Sequence, residues 1–511
     1  MGGSGKQGTL ALRDVLTSRR RFLASSALCG AGLFALGLAG CGGGSGSGAS
    51  PTPTPTPTPS PTPSPPATDD AFLLDIHQKT FTYFWNYTNP VNGLCADRSA
   101  AGSVASIAAC GFAMAANVIG SSRGYVSRAA AAQRTLATLT FFANGPQGAQ
   151  STGVTGYQGF FYHFLDMTTG QRAWTSELSI IDTALLVMGA LIAGAYFNGT
   201  DATETQIRTL SQQVYDAVNW PFALRSDNFM TLGWTPENGY INGSWAGFNE
   251  SQLITVLAIG SSTNPVPASV WTTQTGSYDA AYGTYKGQTY IGAAPLFIYQ
   301  YPQAFIDMRD IRDAYMRGKG FDYFENATRA TLAQRQYAID NPQGFAGYGA
   351  NVWGLTACDG PGAVTATLGG VLRTFQGYAA RGTDLAQTID DGTIAPTAAI
   401  ASINFTPVES YQAMTTMNTR YGSAIIGTCG FYDAFNPTFV APAVPASGSI
   451  VGTAGWVDSD YLGIDQGAIL LMLENYSSGL IWQLAKTVAP IKLGLQRAGF
   501  QSTGTHGTWL T

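Results

Sequence analysis

The sequence predicts an all-α fold, an (α/α)6 toroid of about twelve helices in an inner and an outer layer. Segments of helix length recur along residues 69–511, separated by loops rich in glycine and aromatic residues. Several of these segments are apolar on every side, and such helices have to be covered by other helices. Others are more polar, as expected of an outer layer. The alternative is an irregular α-solenoid, which no fixed repeat of about 34–45 residues supports.

Hydrophobic spacing and capping residues predict the individual helices. Asp69 and Asp70 can cap the first helix and Ser127 the third, because their side-chain oxygens accept hydrogen bonds from amides of the first turn. A short β-hairpin is expected around residues 272–292. The predicted helices span residues 69–86, 103–119, 126–143, 177–197, 202–220, 249–260, 304–316, 323–339, 369–382, 407–422, 465–485 and 490–499.

Residues 1–41 have the pattern of an export signal. Three consecutive arginines precede a run of small and apolar residues that ends in Leu-Ala-Gly before Cys41. The arginines with the following Phe-Leu resemble a twin-arginine signal, and Cys41 resembles the cysteine that is lipidated in a lipobox. The alternative is a transmembrane helix, which is disfavoured because the glycine-rich run is short for a span of about 20 residues.

Residues 42–68 form a predicted linker, first Gly/Ser-rich and then Pro/Thr-rich, which favours extended polyproline II. We therefore expect the chain to be anchored in the cell envelope by its lipid alone, facing the periplasm or at the outer membrane. No second linker interrupts residues 69–511, which are predicted to form one domain and a monomer.

The composition excludes some classes of ligand. Charged residues make up 11% of the chain and the net charge is −5, so there is no basic surface for nucleic acid. Aromatic residues make up 12%, which suits a neutral, hydroxyl-rich ligand and equally a large buried core. The cysteines and histidines do not cluster with zinc-site spacing, and no metal or cofactor is expected. Whether Cys95, Cys110, Cys358 and Cys429 form disulfides cannot be derived from the sequence.

Acidic residues at the start of apolar helices are the first candidates for chemistry. Glu177 and Asp182 stand at the beginning of an apolar segment, after an aromatic loop that contains Tyr162 and His163. The helix macrodipole explains Glu177 in part, but a carboxylate within an apolar segment needs hydrogen bonds or a function. Capping of the helix is the alternative for both residues.

A second loop repeats this arrangement. It carries Trp234 and Trp245 and ends in Asn249-Glu250, which begins another apolar helix. Aromatic rings stack on pyranose faces, and two carboxyl groups at neighbouring helix ends are what a glycosidase requires. Asp97-Arg98 also precedes an apolar helix, although a structural ion pair explains that sequence equally well. Asp307 and Arg309 could likewise form an internal salt-bridge ladder.

Several long motifs resemble the glucoamylase-like domain of exported bacterial proteins, and in particular glycoside hydrolase family 144, the endo-β-1,2-glucanases. The resemblance runs in order from about residue 69 to residue 500. The motifs are GFFYHFLD, ELSIIDTALLVMGAL, FNESQLITVLAIGSSTNP, WGLTACDGP, DDGTIAPTAAIASINFTP and YLGIDQGAILLMLENYSSGLIW.

The resemblance implies an (α/α)6 barrel without a cofactor that cleaves β-1,2-glucan internally, with inversion, and releases sophorose or short oligosaccharides. Glu250 matches the family's proton-donating glutamate, and Glu177 and Asp182 match an acidic segment that lines its cavity. The positions implied to line sugar subsites are Asp97, Arg98, Asp307, Arg309, Trp353 and Asp460.

Two alternatives remain open from the sequence. The first is a hydrolase or transglycosylase of the same fold that acts on another glucan. The second is a lipoprotein that binds glycan without cleaving it, although a pure binding protein has little use for buried carboxylates. The products formed from a panel of glucans distinguish these functions.

Overall fold

The computed structural model describes residues 64–511. The predicted export signal, Cys41 and most of the linker lie outside these residues. The α-helices are α1 Ala71–Tyr87, α2 Ile107–Ser122, α3 Arg128–Asn144, α4 Ile180–Tyr196, α5 Ala202–Asp216, α6 Gln252–Gly260, α7 Ser269–Gly276, α8 Phe297–Phe305, α9 Ala314–Lys319, α10 Tyr323–Asp340, α11 Pro396–Ile400, α12 Pro407–Tyr421, α13 Gly463–Ser477, α14 Leu480–Ala485 and α15 Ala489–Arg497.

Helices of two kinds alternate along the chain, as the predicted inner and outer layers require. Six are buried on nearly every side, namely α2, α4, α6, α8, α11 and α13. They alternate with helices that bury one face and expose the other, namely α1, α3, α5, α7, α10 and α12. The first and last inner helices, α2 and α13, also contact each other. The large apolar core lies between the two layers.

The strands are short and form small antiparallel sheets in the loops. The largest sheet has five strands in the order Gly156–Tyr157, Phe160–Tyr162, Leu178–Ser179, Gly233–Thr235 and Gly239–Tyr240. In its register, Tyr162 pairs with Leu178 and Leu178 with Trp234. The other paired strands are Ala105–Ser106 with Phe164–Leu165, Tyr282–Tyr285 with Gln288–Ile291, Ile311–Arg312 with Gln501–Ser502, Ala357–Cys358 with Ala379–Ala380, Thr365–Leu368 with Val371–Thr374, Gly382–Thr383 with Thr388–Ile389, Ile426–Gly427 with Gly430–Phe431, and Trp456–Val457 with both Phe435–Asn436 and Ser449–Ile450.

Three predicted helices differ from the structure. Residues 369–382 form strands instead, because Gly369 and Gly370 both have positive φ and make the turn of a hairpin. Residues 304–316 contain the end of α8, a strand and the start of α9. Residues 465–485 are split between α13 and α14 at Gly479, whose φ is +71°. The expected hairpin near 272–292 is present as Tyr282–Tyr285 and Gln288–Ile291.

The four cysteines of residues 64–511 are buried free thiols. No helix in this part of the chain combines the length and the hydropathy needed to cross a membrane.

Contacts at their ends show that the inner helices α2, α4, α8 and α13 run in the same direction. Hydrogen bonds connect their carboxyl-terminal ends: Tyr196 Oη donates to Ser121 Oγ at 3.0 Å, and Asn475 Nδ2 donates to the Ala304 carbonyl at 2.8 Å. At the opposite end, β-pairing joins the segments that precede α2, α4 and α13. The loops before α2, α4 and α13 therefore meet at one end of the molecule, and the pairing of Leu178 with Trp234 connects the loop before α6 to them.

A buried ionic cluster stabilises the end of the molecule at which the carboxyl termini of α2 and α13 lie. Glu474 of α13 lies 2.9 Å from His77 Nε2 and accepts a hydrogen bond of 2.8 Å from Arg123 Nε. Burial alone would raise the pKa of Glu474, but hydrogen bonds from His77 and Arg123 outweigh it and lower the pKa to about 2. Because the pKa is lowered, Glu474 stabilises the fold above pH 4.5 and loses that effect as the pH falls toward 2.

We predict that Glu474→Gln lowers the free energy of unfolding at pH 7 by about 3–5 kcal/mol, since it leaves buried charge unpaired. The difference from the wild type should shrink between pH 4.5 and pH 2. Urea unfolding followed by tryptophan fluorescence measures both. Asp75→Asn is the control, because its pair with Lys79 is exposed and such pairs contribute less than about 1 kcal/mol. Equal effects of the two substitutions would contradict this account.

Candidate active site

The loops before the inner helices bring most of the predicted site residues to one end of the molecule. Asp97 and Arg98 precede α2, Glu177 precedes α4, Glu250 precedes α6, and Asp460 precedes α13. The Gly463 amide donates to the Asp97 carbonyl at 2.7 Å, and Arg98 forms a β-bridge with Leu462. This end of the inner helices is therefore the candidate active site.

His163 joins the two acidic residues of the first loop. Its Nδ1 lies 3.1 Å from Glu177 Oε1, and its Nε2 lies 3.4 Å from Asp182 Oδ2. The His163 amide also donates to the Glu177 carbonyl at 2.8 Å. One imidazole thus holds two carboxyl groups in fixed relative positions, an arrangement that can orient both and can pass a proton between them.

The local sequence explains the positions of the two carboxyl groups. Ser179 caps α4, its Oγ accepting from the Asp182 amide at 3.2 Å and donating to Asp182 Oδ2 at 2.6 Å. Asp182 is thereby held in the first turn, where the helix dipole favours a negative charge. Glu177 lies before the helix, beside the strand Leu178–Ser179. Ser179 is therefore the cap of α4, and the Asp182 carboxylate accepts a hydrogen bond from that cap and faces His163.

Glu250 lies two residues before α6 and is 1% exposed. Its carbonyl accepts a hydrogen bond from the Leu253 amide, which continues the backbone into the helix. The preceding Asn249 turns the chain, since its Oδ1 accepts from the Ser251 amide at 3.1 Å. The tight turn and the burial of the helix place this carboxyl group within the protein at the start of an inner helix.

Arg98 is the centre of a second acidic group. Its Nη1 donates to Asp359 Oδ2 at 2.7 Å and lies 3.7 Å from Asp460 Oδ2, while its Nε contacts Asp97 Oδ2 at 3.3 Å. Ser99 Oγ donates to Asp460 Oδ1 at 3.0 Å. The structure thus brings three predicted residues, Asp97, Arg98 and Asp460, into one network, and adds Asp359 to it.

Behind Arg98 lies a buried carboxyl cluster of Asp359, Asp433 and Asp458. One oxygen from each lies within 4.8 Å of the others. Burial raises the pKa of Asp433 well above its ordinary value, with Asp465 and Asp359 adding to the effect. Burial likewise raises the pKa of Asp458, with contributions from Asp359 and Asp433.

The raised pKa values of Asp433 and Asp458 favour the protonated forms of these two carboxyl groups. Like charges this close in a buried site keep part of the cluster protonated, so it can both donate and accept hydrogen bonds. That capacity matches sugar hydroxyl groups. The same three oxygens are close enough to hold a metal ion, although a calcium ion takes about six to eight oxygen ligands.

A buried ion pair supports this cluster. Arg381 is fully buried, and its Nε and Nη2 each lie 2.8 Å from Asp391. Its Nη1 donates to the Cys358 and Asp359 carbonyls at 2.8 and 3.2 Å. The guanidinium therefore fixes the loop that carries Asp359, while Asp391 compensates its charge.

The predicted aromatic residues divide into two groups. Tyr162, Trp245 and Trp353 are at most 2% exposed and present no ring face to solvent. Trp234 is half-buried and packs against Tyr157, with ring centroids 5.1 Å apart. The three buried rings thus form part of the protein interior beneath the loops and offer no open face for the sugar stacking that the sequence suggested, whereas Trp234 is partly exposed.

Asp307 and Arg309 lie at the other end of the inner helices, after the carboxyl terminus of α8. Asp307 is buried and pairs with Arg309 Nε at 2.8 Å and with Lys486 Nζ at 2.7 Å. Arg309 lies 4.4 Å above the ring of Trp482 on α14. The structure therefore does not bring these two residues to the candidate site, and their contacts are those of the salt bridge considered from the sequence.

A separate cavity of about 400 Å³ lies between α3, α5 and the loop 145–159. Phe142, Gln147, Tyr157 and Gln213 are among its lining residues. None of the predicted acidic residues lines it, so its volume does not define the candidate site.

Comparisons with known proteins identify the family of the chain. A family model described as "Putative glucoamylase" matches residues 242–489. The match includes Glu250 and Asp460. A solved structure of a "putative glucoamylase" from Bacteroides uniformis is 31% identical, with a TM-score of 0.72, and the alignment covers 85% of this chain and 98% of that one.

Two further relatives have named activities. The endo-β-1,2-glucanase of Chitinophaga pinensis, solved with sophorotriose and glucose, is 28% identical with a TM-score of 0.72, over 85% of this chain and 99% of that one. The exo-β-1,2-glucooligosaccharide sophorohydrolase of Parabacteroides distasonis is 28% identical over 464 residues, which are 84% of this chain. The alignment spans 58% of that relative's length. The 31% identity to the Bacteroides uniformis structure over 98% of its length, together with the family model, shows that the chain belongs to the glucoamylase-like family, which the sequence motifs predicted.

Proposed function

We propose that the protein is a glycoside hydrolase that cleaves β-1,2-glucan internally, with inversion, and releases sophorose or short sophoro-oligosaccharides. The observation that supports it best is the meeting of acidic residues from distant parts of the chain at one end of the inner helices. The named activities of the two relatives, one endo and one exo, support β-1,2-glucan as the proposed substrate class. We also propose that the two helical layers close as an (α/α)6 toroid around this end.

Glu250 is the proposed general acid. Glu250 is 1% exposed and stands at the start of the inner helix α6, and it matches the proton-donating glutamate of the family that the sequence resembles. In the proposed step, Glu250 gives its proton to the glycosidic oxygen as the bond to the anomeric carbon breaks. The departing sugar leaves with a new hydroxyl group.

The second carboxyl group acts on water. We propose that Glu177 or Asp182 takes a proton from the water that attacks the opposite face of the anomeric carbon, with His163 positioning both groups. A single displacement of this kind inverts the anomeric configuration. Asp97, Arg98 and Asp460 are proposed to bind hydroxyl groups of the glucan, together with the carboxyl cluster of Asp359, Asp433 and Asp458.

The cellular setting is proposed from the first 68 residues. A twin-arginine-like signal would export the folded chain, and lipidation of Cys41 would hold it at the envelope. The Pro/Thr-rich linker would then keep the catalytic domain away from the membrane surface. We also propose that the protein acts as a monomer.

We predict that the purified protein generates new reducing ends from linear β-1,2-glucan and not from α-1,4-, β-1,3- or β-1,4-glucans. A mixture of short oligosaccharides early in the reaction, seen by thin-layer chromatography, indicates internal cleavage. Disaccharide alone indicates the exo mode of the Parabacteroides relative. Proton NMR of the first products should show the α-anomer.

Other outcomes of this assay contradict the proposal in distinct ways. Cleavage of another glucan would show that the enzyme has a different substrate. Products larger than the glucan supplied would indicate a transglycosylase. Binding of glucan without new reducing ends identifies a non-catalytic carbohydrate-binding protein.

A second prediction concerns Glu250. Glu250→Gln removes the transferable proton and keeps the size of the side chain, so kcat on β-1,2-glucan should fall by about 10²–10⁴-fold. The melting temperature should stay close to that of the wild type. Glu409→Gln on the outer helix α12 is the matched control and should keep full activity. Activity of Glu250→Gln within a factor of two of the wild type would exclude Glu250 as the acid.

A further inference from the structure

Trp174 has two features that are unfavourable for a folded protein. Its side chain is 42% exposed, although tryptophan is a large apolar residue. Its φ is +50°, a left-handed backbone conformation that costs a residue with a Cβ about 1–2 kcal/mol. Glycine would adopt this conformation without that cost. A residue that is strained and also exposed is a candidate for a functional role.

The turn that carries Trp174 is fixed on both sides. The Ala173 amide donates to the Phe164 carbonyl at 2.9 Å, and the Ser176 amide donates to the Ala173 carbonyl at 3.2 Å. Arg172 forms two hydrogen bonds with Glu237, at 2.7 and 3.0 Å, and its Nε donates to the Ser176 carbonyl at 2.7 Å. These bonds hold the turn in place, so the ring keeps a defined position.

A line of ring contacts connects Trp174 to the acidic residues. Trp174 packs edge-on against Phe164, with ring centroids 5.7 Å apart. Phe164 stacks on His163 at 3.9 Å and 12°, and His163 contacts Glu177 and Asp182. Trp174 is also only three residues before Glu177. The exposed ring therefore lies beside the candidate active site.

The surroundings of the ring indicate the kind of ligand. Its exposed sequence neighbours Gln171 and Thr175 are neutral and polar, as are Thr168 and Thr169 in the preceding turn, which also carries the exposed carboxylate of Asp166. One ring among such residues is too small an apolar surface for a protein interface. A pyranose has an apolar face for the ring and hydroxyl groups for the neutral polar side chains, so a sugar fits this surface.

We propose that Trp174 is the stacking platform of a glucosyl subsite at the rim of the acidic site, and that it sets the preference for longer β-1,2-gluco-oligosaccharides. This inference rests on the proposed function. A substrate long enough to reach the platform gains the stacking contact, whereas a short one does not. Trp174 is thus a specificity-determining residue that takes no part in proton transfer.

We predict that Trp174→Ala raises KM about 5–10-fold for long β-1,2-glucan, the effect of one aromatic contact, and leaves kcat within a factor of two. KM for the shortest cleaved oligosaccharide should stay unchanged. Trp174→Phe should recover most of the loss. Trp174→Gly should show the same KM defect with a melting temperature equal to or above that of the wild type, because glycine relieves the backbone strain.

Trp509→Ala is the matched control. Trp509 is a partly buried tryptophan that lies 5.9 Å from Lys486 Nζ, at the opposite end of the inner helices, and its substitution should not change KM. If the wild type cleaves β-1,2-glucan but all three Trp174 variants keep the wild-type KM at every substrate length, the platform is refuted and the proposed function stands. If the wild type cleaves no β-1,2-glucan, the proposed function fails and the platform fails with it.

Discussion

The contact between α2 and α4 depends on two glycines that allow the helix backbones to touch. A Cβ atom at Gly189 would collide with the backbone of Gly111, and a Cβ atom at Gly111 would collide with the backbone of Leu185. Gly494 makes a similar approach between α15 and α6 possible. Because buried helices must be covered by other helices, such close crossings are what permit several parallel inner helices to pack together.

Because α2, α4, α8 and α13 run in the same direction, their amino-terminal ends lie at the same end of the molecule, and this has an electrostatic consequence. Each of these ends carries a partial positive charge that favours nearby carboxylates. Acidic residues such as Asp182 and Asp460 can therefore accumulate there at a lower cost than elsewhere in a buried core. Arg98 reduces the repulsion among Asp97, Asp359 and Asp460, which it contacts. Burial raises the pKa values of Asp433 and Asp458, which favours their neutral forms and reduces repulsion behind Arg98. The carboxyl-terminal ends instead hold tightly paired groups such as Glu474.

The sequence predicted the parts of the fold that local patterns determine. Apolar helices with clear caps, such as α4, were predicted within three residues at the start. Helix α8 was missed because Pro302 interrupts its pattern. Helix α11 was also missed, because it is only five residues long. Local sequence also could not show that Asp307 follows the carboxyl-terminal end of α8, whereas the other predicted acidic residues lie at the amino-terminal ends of inner helices. The pairing of Asp433 with Asp359 joins residues 74 positions apart, and no short-range signal predicts such a contact.

A crystal structure of the Glu250→Gln variant with a β-1,2-gluco-oligosaccharide tests most directly whether these acidic groups form one sugar-binding site. The account predicts sugar density at the amino-terminal ends of the inner helices, in contact with Arg98 and with either Glu177 or Asp182. An oligosaccharide bound instead in the cavity between α3 and α5, or beside Asp307 at the other end, would contradict it.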